Sequence, residues 1–333
     1  MQPIAFPDEP LVKAMSFRYN TFVIIKNGGT CMSKKMRGNL MLLLTALIWG
    51  TAFVAQSAGM DHVQPFTYNG IRTMIGGLVL IPVIVLFDKM KPASQRLTPE
   101  EQKVVNKNSL IGGICCGVVL CVASSFQQFG VSMTTAGKAG FITALYIVIV
   151  HLMGVFIKKK IPKIIWFCVA IAVAGFYLLC VKEGFSVGTG DLLVLCCAFF
   201  FSIHIMFIDH FTAGKVDGVR MSCVQFLVAG VLAILCMFLF EQPVLSSIWD
   251  ARVSILYAGV ASCGIAYTLQ ILGQKHTDPT TATLLMSLES VFAALSGWVL
   301  LNESLSLKEI LGCALVFVAV ILAQIPLPVK EKK

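Results

Sequence analysis

The two halves of this chain carry the same polar and glycine landmarks inside long apolar stretches. That repetition restricts the available folds more than any single motif does. Gln127 and Gly130 recur as Gln270 and Gly273, and Gly154 recurs as Gly297, each 143 residues later. Arg72, Gly77 and Phe87 match Gln225, Gly230 and Phe240 at an offset of 153. If each half holds five spans, an odd number, the second copy lies upside down relative to the first. Inverted repeats build many secondary transporters, with the substrate site between the copies. Transport is the leading expectation before any motif is weighed.

A helix needs about 20 apolar residues to cross the hydrocarbon core. Ten stretches meet that need: about 39–58, 66–87, 109–131, 136–157, 163–181, 190–210, 220–240, 253–273, 279–301 and 308–325. The run 109–157 is too long for one crossing, and Thr134-Thr135-Ala136-Gly137 is its plausible turn. Cytoplasmic loops are enriched in Lys and Arg. With the N-terminus inside, 19 of these residues fall on the cytoplasmic side, in 26–37, 88–108, 158–163, 211–220, at Lys275 and in 326–333. The opposite side holds Lys138, Lys182, Arg252 and Lys308. Both termini are therefore expected in the cytoplasm, in a multi-pass protein of the cytoplasmic membrane. The expected fold class is all-α integral membrane, with ten transmembrane helices as two inverted five-helix repeats around a central cavity. Residues 38–182 form the first repeat, 183–325 the second, and 326–333 a basic cytoplasmic tail.

Composition agrees. Only 13% of the residues are charged and 57% are hydrophobic, whereas a soluble protein carries about 25% charged residues. The net charge of +9 sits in the gaps between apolar segments, which argues for a lipid bilayer as partner and against nucleic acid. The cysteines, except Cys31, lie inside apolar segments without Cys-x-x-Cys spacing, as small residues packing helices would. Residues 1–37 read as an N-terminal extension. Gly28-Gly29 ahead of Met32 reads as a ribosome-binding site translated as protein, with Met32 the true start; a peptide from residues 1–20 of the native protein would overturn that reading. Asn302-Glu303-Ser304 matches a glycosylation sequon but abuts a span.

Three motifs carry a resemblance. Leu47-Ile48-Trp49-Gly50, the run from Thr134 to Tyr146, and Leu288-Glu289-Ser290-Val291-Phe292 ending in Leu301-Asn302-Glu303 resemble the first, fourth and ninth helices of EamA-type transporters, a branch of the drug/metabolite transporter superfamily. The resemblance covers residues 38–325. It implies ten helices in two inverted repeats, with the fifth and tenth at the periphery. The family pattern has proline where Ser290 and His151 stand here.

Glu289 lies near the bilayer centre, where an ionised carboxylate costs at least ~3 kcal/mol. It reads as a proton carrier or a partner for a cationic group, or else as a protonated acid bonding a neighbouring helix. Arg72 reads as an anchor for a carboxylate, a counter-ion to Glu289, or a snorkelling side chain. Its repeat mate Gln225 is neutral, so any site between the halves is asymmetric. Gln127 and Gln270 must satisfy their amides either in a wet cavity or between helices. Tyr267 shares a helical face with Gln270. Trp49 and Tyr146 suit stacking on a substrate or ordinary packing. His151 and His204 suit proton relay or helix contacts, and Lys138 an outer-mouth charge. Gly113-x-x-x-Gly117 and Gly76-Gly77 read as close helix packing.

The expectation is a secondary active transporter moving a small metabolite, an amino acid or organic cation among the options. By resemblance it is an exporter, with protons as the default coupling ion. No cofactor or metal is expected, and oligomeric state is open. The alternatives are an integral-membrane enzyme, for which no metal motif, paired Asp cluster or Gly-x-Ser-x-Gly is present, and a receptor or channel.

Overall fold

The computed structural model describes residues 33–90, 97–134, 136–156, 162–180, 188–300 and 306–324. Met32 and the extension before it, Thr135, Lys158–Lys160, Lys182, the sequon and the tail lie outside the described residues, as does the side chain of Lys138.

Among the described residues every regular element is a helix, as lipid demands of any backbone that cannot close a barrel. The first half contains α1 (Lys34–Met60), α2 (Pro65–Met90), α3 (Pro99–Val131), α4 (Ala136–Ala144), α5 (Tyr146–Phe156) and α6 (Lys163–Cys180). The second contains α7 (Thr189–Thr212), α8 (Gly218–Phe240), α9 (Leu245–Asp250), α10 (Arg252–Leu256), a π-helical segment Tyr257–Ala266, α11 (Tyr267–Gln274), α12 (Pro279–Met286), α13 (Glu289–Leu300) and α14 (Leu307–Gln324). Among the described residues six helical runs are long and apolar enough to cross a membrane: α1, α2, α3, α7, α8 and the continuous run Arg252–Gln274. Ile142–Phe156, Lys163–Gly175 and Ile310–Leu322 are shorter apolar helices.

Helix starts follow local chemistry. Ser33 Oγ accepts from Met36 N at 3.1 Å, and Thr98 with Glu101 forms a reciprocal capping box ahead of α3. Asp217 caps α8 through Val219 N and Arg220 N. Asp278 caps α12, with Pro279 in the first turn. Each side-chain cap satisfies amide donors that a helix start would otherwise leave open.

Two expected spans are interrupted midway. Between α4 and α5 the chain turns at Leu145, whose N–H reaches Ile142 O at 3.1 Å in a tightened i→i+3 bond. Between α12 and α13 it turns at Ser287 and Leu288, where Leu288 N reaches Leu285 O at 3.3 Å. Leu145 and Leu288 are 143 apart, the repeat offset. The second break forms without the proline of the family pattern. Ser290 instead donates its hydroxyl to Gly140 O at 3.2 Å, tying the second interrupted span to the first.

The packing pairs α2 with α8, α3 with α7 and α8, α1 with α13, α11 and the π segment, and α6 with α14. Glycines set the close approaches. A Cβ on Gly113 would meet Val224 Cβ at 2.5 Å, and one on Gly117 would meet Gln225 O at 2.7 Å, so this pair is the α3–α8 contact that its spacing suggested. Gly50 seats α1 on the break before α13: its Cβ would stand 2.5 Å from Phe292 Cβ and 2.7 Å from Glu289 O. Gly50→Val should therefore lower stability by about 1–3 kcal/mol. Gly140→Ala, whose nearest neighbour is Ser290 Oγ at 4.0 Å, should change it by less than about 0.5 kcal/mol. Thermal unfolding of the detergent-purified variants measures both.

Candidate functional site

Where the interrupted helices meet α1, α2, α3, α7 and the π-α11 run, they leave a small cavity, with about 30 Å³ open to water-sized occupants. Seven of the residues singled out in the sequence line it: Trp49, Arg72, Gln127, Tyr146, Tyr267, Gln270 and Glu289. Each is at least half buried, and Glu289 is only 3% exposed.

The helix breaks explain how the cavity is furnished. Tyr146 is the first residue of α5 and Glu289 the first of α13, so each restart presents a polar side chain at membrane depth. The two are repeat mates, 143 apart. Their side chains face each other closely enough to interact, and beyond that mutual contact neither Tyr146 Oη nor Glu289 Oε1 has a hydrogen-bond partner. Trp49 Nε1, Thr143 Oγ1 and Gln270 Oε1 are likewise unpartnered, and all three line the same cavity. An unmet polar atom in an apolar interior costs about 1–3 kcal/mol. Five around one space mark it as a place for a polar guest or water.

Arg72 is held differently. Nε donates to Asn69 Oδ1 at 3.1 Å and Nη1 to Gln56 Oε1 at 2.7 Å. Asn69 in turn donates to Ser124 Oγ at 2.9 Å. The guanidinium also lies over the Tyr68 ring, 5.5 Å from its centroid. All these partners are neutral, and Arg72 makes no ion pair with Glu289. Gln56 and Asn69 escaped sequence reasoning because a lone amide near a span end resembles an interfacial residue.

Aromatic rings line much of the remaining wall. Trp49 and Tyr267 stack obliquely with centroids 4.6 Å apart, and Phe226 braces Tyr267 edge-on at 5.2 Å. Phe53 and Phe201 add apolar surface.

The remaining sequence candidates lie elsewhere. His204 Nε2 and Gln225 Oε1 are 3.1 Å apart, joining α7 to α8, and the His204 ring packs on Tyr267 at 6.1 Å from behind the wall. His151 is fully buried, bonded through Nδ1 to Ile147 O and edge-on to Trp166; it does not line the cavity. Among the described residues no disulfide is formed, and no cluster of His, Cys, Asp or Glu among them could hold a metal ion.

The chain matches the model of the EamA-like transporter family twice, over residues 36–181 and 188–324. It is similar to an uncharacterized transporter of Archaeoglobus fulgidus, 28% identical over 313 residues, with 91% of this chain and 90% of the relative covered. The uncharacterized transporter YoaV of Bacillus subtilis is 23% identical, with 86% and 94% covered. A WAT1-related chloroplast protein of Arabidopsis thaliana is also 23% identical, covering 86% of this chain and 69% of its own length. A solved crystal structure superposes with a TM-score of 0.70 at 20% identity, over 86% of this chain and 96% of that one, which is a likeness of fold.

If Gln225 serves His204 rather than a guest, Gln225→Leu should strand a buried imidazole and lower stability by about 1–3 kcal/mol. Ligand affinity should be unchanged. Thermal unfolding with and without a bound solute separates the two effects.

Proposed function

Because the chain belongs to the EamA-like transporter family, we propose that it is a secondary carrier exporting a small metabolite across the cytoplasmic membrane by alternating access, with Glu289 carrying the coupling proton. The reading includes ten spans in two inverted repeats, residues 38–182 and 183–325, with both termini cytoplasmic. Counted in this way, the interrupted helices α4–α5 and α12–α13 are spans four and nine, and Arg252–Gln274 is span eight.

The packing supports the repeats. Exchanging spans one to five with six to ten turns the α3–α7 contact into that of α1 with the π-α11 run. It turns α3–α8 into α2 against that run, and maps α2–α8 and α6–α14 onto themselves. The two successive family matches support the same division.

The observation that carries the proposal is the buried Glu289 carboxyl, with no partner for Oε1 beyond Tyr146, at a helix break inside a cavity between the halves. An ionised carboxylate at this depth costs at least ~3 kcal/mol. It therefore takes up a proton or a cation when water is shut out and releases it when water returns. A carrier whose two states differ in the side to which the cavity opens converts that exchange into coupled movement.

Profiling the medium of expressing cells identifies the exported solute, and sealed vesicles containing the protein then test the coupling. An imposed pH gradient should drive accumulation of that solute, and Glu289→Gln should reduce it to the level of empty vesicles. Undiminished pH-driven accumulation by the Gln variant would remove the proton assignment. No protein-dependent movement of any solute would remove transport.

A further inference from the structure

Arg72 is a charged side chain 95% removed from solvent, with only neutral partners. Its geometry is asymmetric. Nε and Nη1 are occupied by Asn69 and Gln56 on the α1–α2 side, while Nη2 has no hydrogen-bond partner among the described residues, and the residue lines the cavity. Asn69 is itself fixed by Ser124 of α3, so the fork is held in one orientation by groups from three helices. Gly59 allows α1 to pass close to Tyr68, on whose ring the guanidinium rests. A guanidinium in an apolar wall with one edge vacant is poised for a planar oxyanion. An anion there gains a charge-assisted hydrogen bond and neutralises a charge that no protein carboxylate pairs with.

The rest of the wall limits what the anion can be attached to. Trp49, Phe53, Phe201 and Tyr267 offer rings and Ile205 an aliphatic side chain. A highly charged phosphate ester would leave much of its charge against these groups, because Arg72 is the only cation among the lining residues described.

We propose that Arg72 is the anion subsite of this cavity, and that the chain recognises organic acids with one carboxylate on an apolar body. The carboxylate sits on the Nη2 edge, and the body lies against the Trp49–Tyr267 pair. Gln56 and Asn69 are positioning residues that hold the fork. This assignment rests on the cavity being the solute path, and it disfavours a purely cationic substrate.

The test uses the full detergent-purified chain and three probes with one common body: 3-phenylpropionate, 3-phenylpropionamide and 3-phenylpropylamine. Binding is read by tryptophan fluorescence and by thermal shift. The acid should bind about tenfold or more tighter than the amide or the amine, as one charge-assisted hydrogen bond allows. Arg72→Gln should erase that preference, and Arg72→Lys, a point charge without the fork, should restore part of it. The discrimination of the unaltered protein is informative even if a variant fails to fold. Equal binding of the three probes, tighter binding of the amine, or binding of none overturns the subsite. Counterflow of the acid in vesicles separates this claim from transport: an acid that binds through Arg72 without moving leaves the subsite standing and defeats the carrier. Protein-dependent flux of neutral or cationic solutes that is indifferent to Arg72→Gln does the reverse.

Discussion

A helix broken in mid-membrane exposes backbone groups that lipid cannot satisfy, and the architecture around the site follows from managing that problem. The breaks at Leu145 and at Ser287–Leu288 tighten into i→i+3 bonds. Ser290 spends its hydroxyl on Gly140 O across the gap between the two interrupted helices. Gly50 brings α1 within contact of the Glu289 carbonyl and the first turn of α13. With the backbone protected by neighbouring protein, the restarting helices can carry Tyr146 and Glu289 at a depth where an acid is otherwise expelled.

The π segment Tyr257–Ala266 solves a related problem in the other half. Thr45 of α1 donates to Ala266 O at 3.0 Å, and Thr268 donates back to Gly264 O at 2.7 Å while meeting Ser222. This segment carries Ser262 into the cavity, whereas its repeat counterpart in α3 stays α-helical. Together with Arg72 opposite the neutral Gln225, it makes the two halves unlike where they meet. The cavity is thereby polarised, with a fixed cation on one wall and an acid at a helix break on another.

Much of this was legible in the sequence for physical reasons. Gln127, Gln270 and Glu289 stand out because polar groups are costly in lipid, and all three line the cavity. Gly113 and Gly117 stand out because small residues four apart let backbones meet. Less legible was what depends on partners distant in sequence. Gln225 is the repeat mate of a cavity residue, but its oxygen is taken by His204. His151 has the same titratable ring as any relay histidine, yet its Nδ1 is bonded to its own helix one turn back and its ring stays outside the cavity. Gln56 was passed over because the residue that gives it a role, Arg72, lies on the next helix. The break before Glu289 could not be read from a proline, since none is there.

The central claim is that one cavity between the halves opens to each side of the membrane in turn. Ser262→Cys in a background lacking the native cysteines places a single thiol on the cavity wall, and an impermeant maleimide can be offered from either face of oriented vesicles. Alternating access predicts labelling from both faces, with a bound solute or an imposed gradient shifting the balance toward one. Labelling from one face alone under every condition, or from neither, would contradict the account.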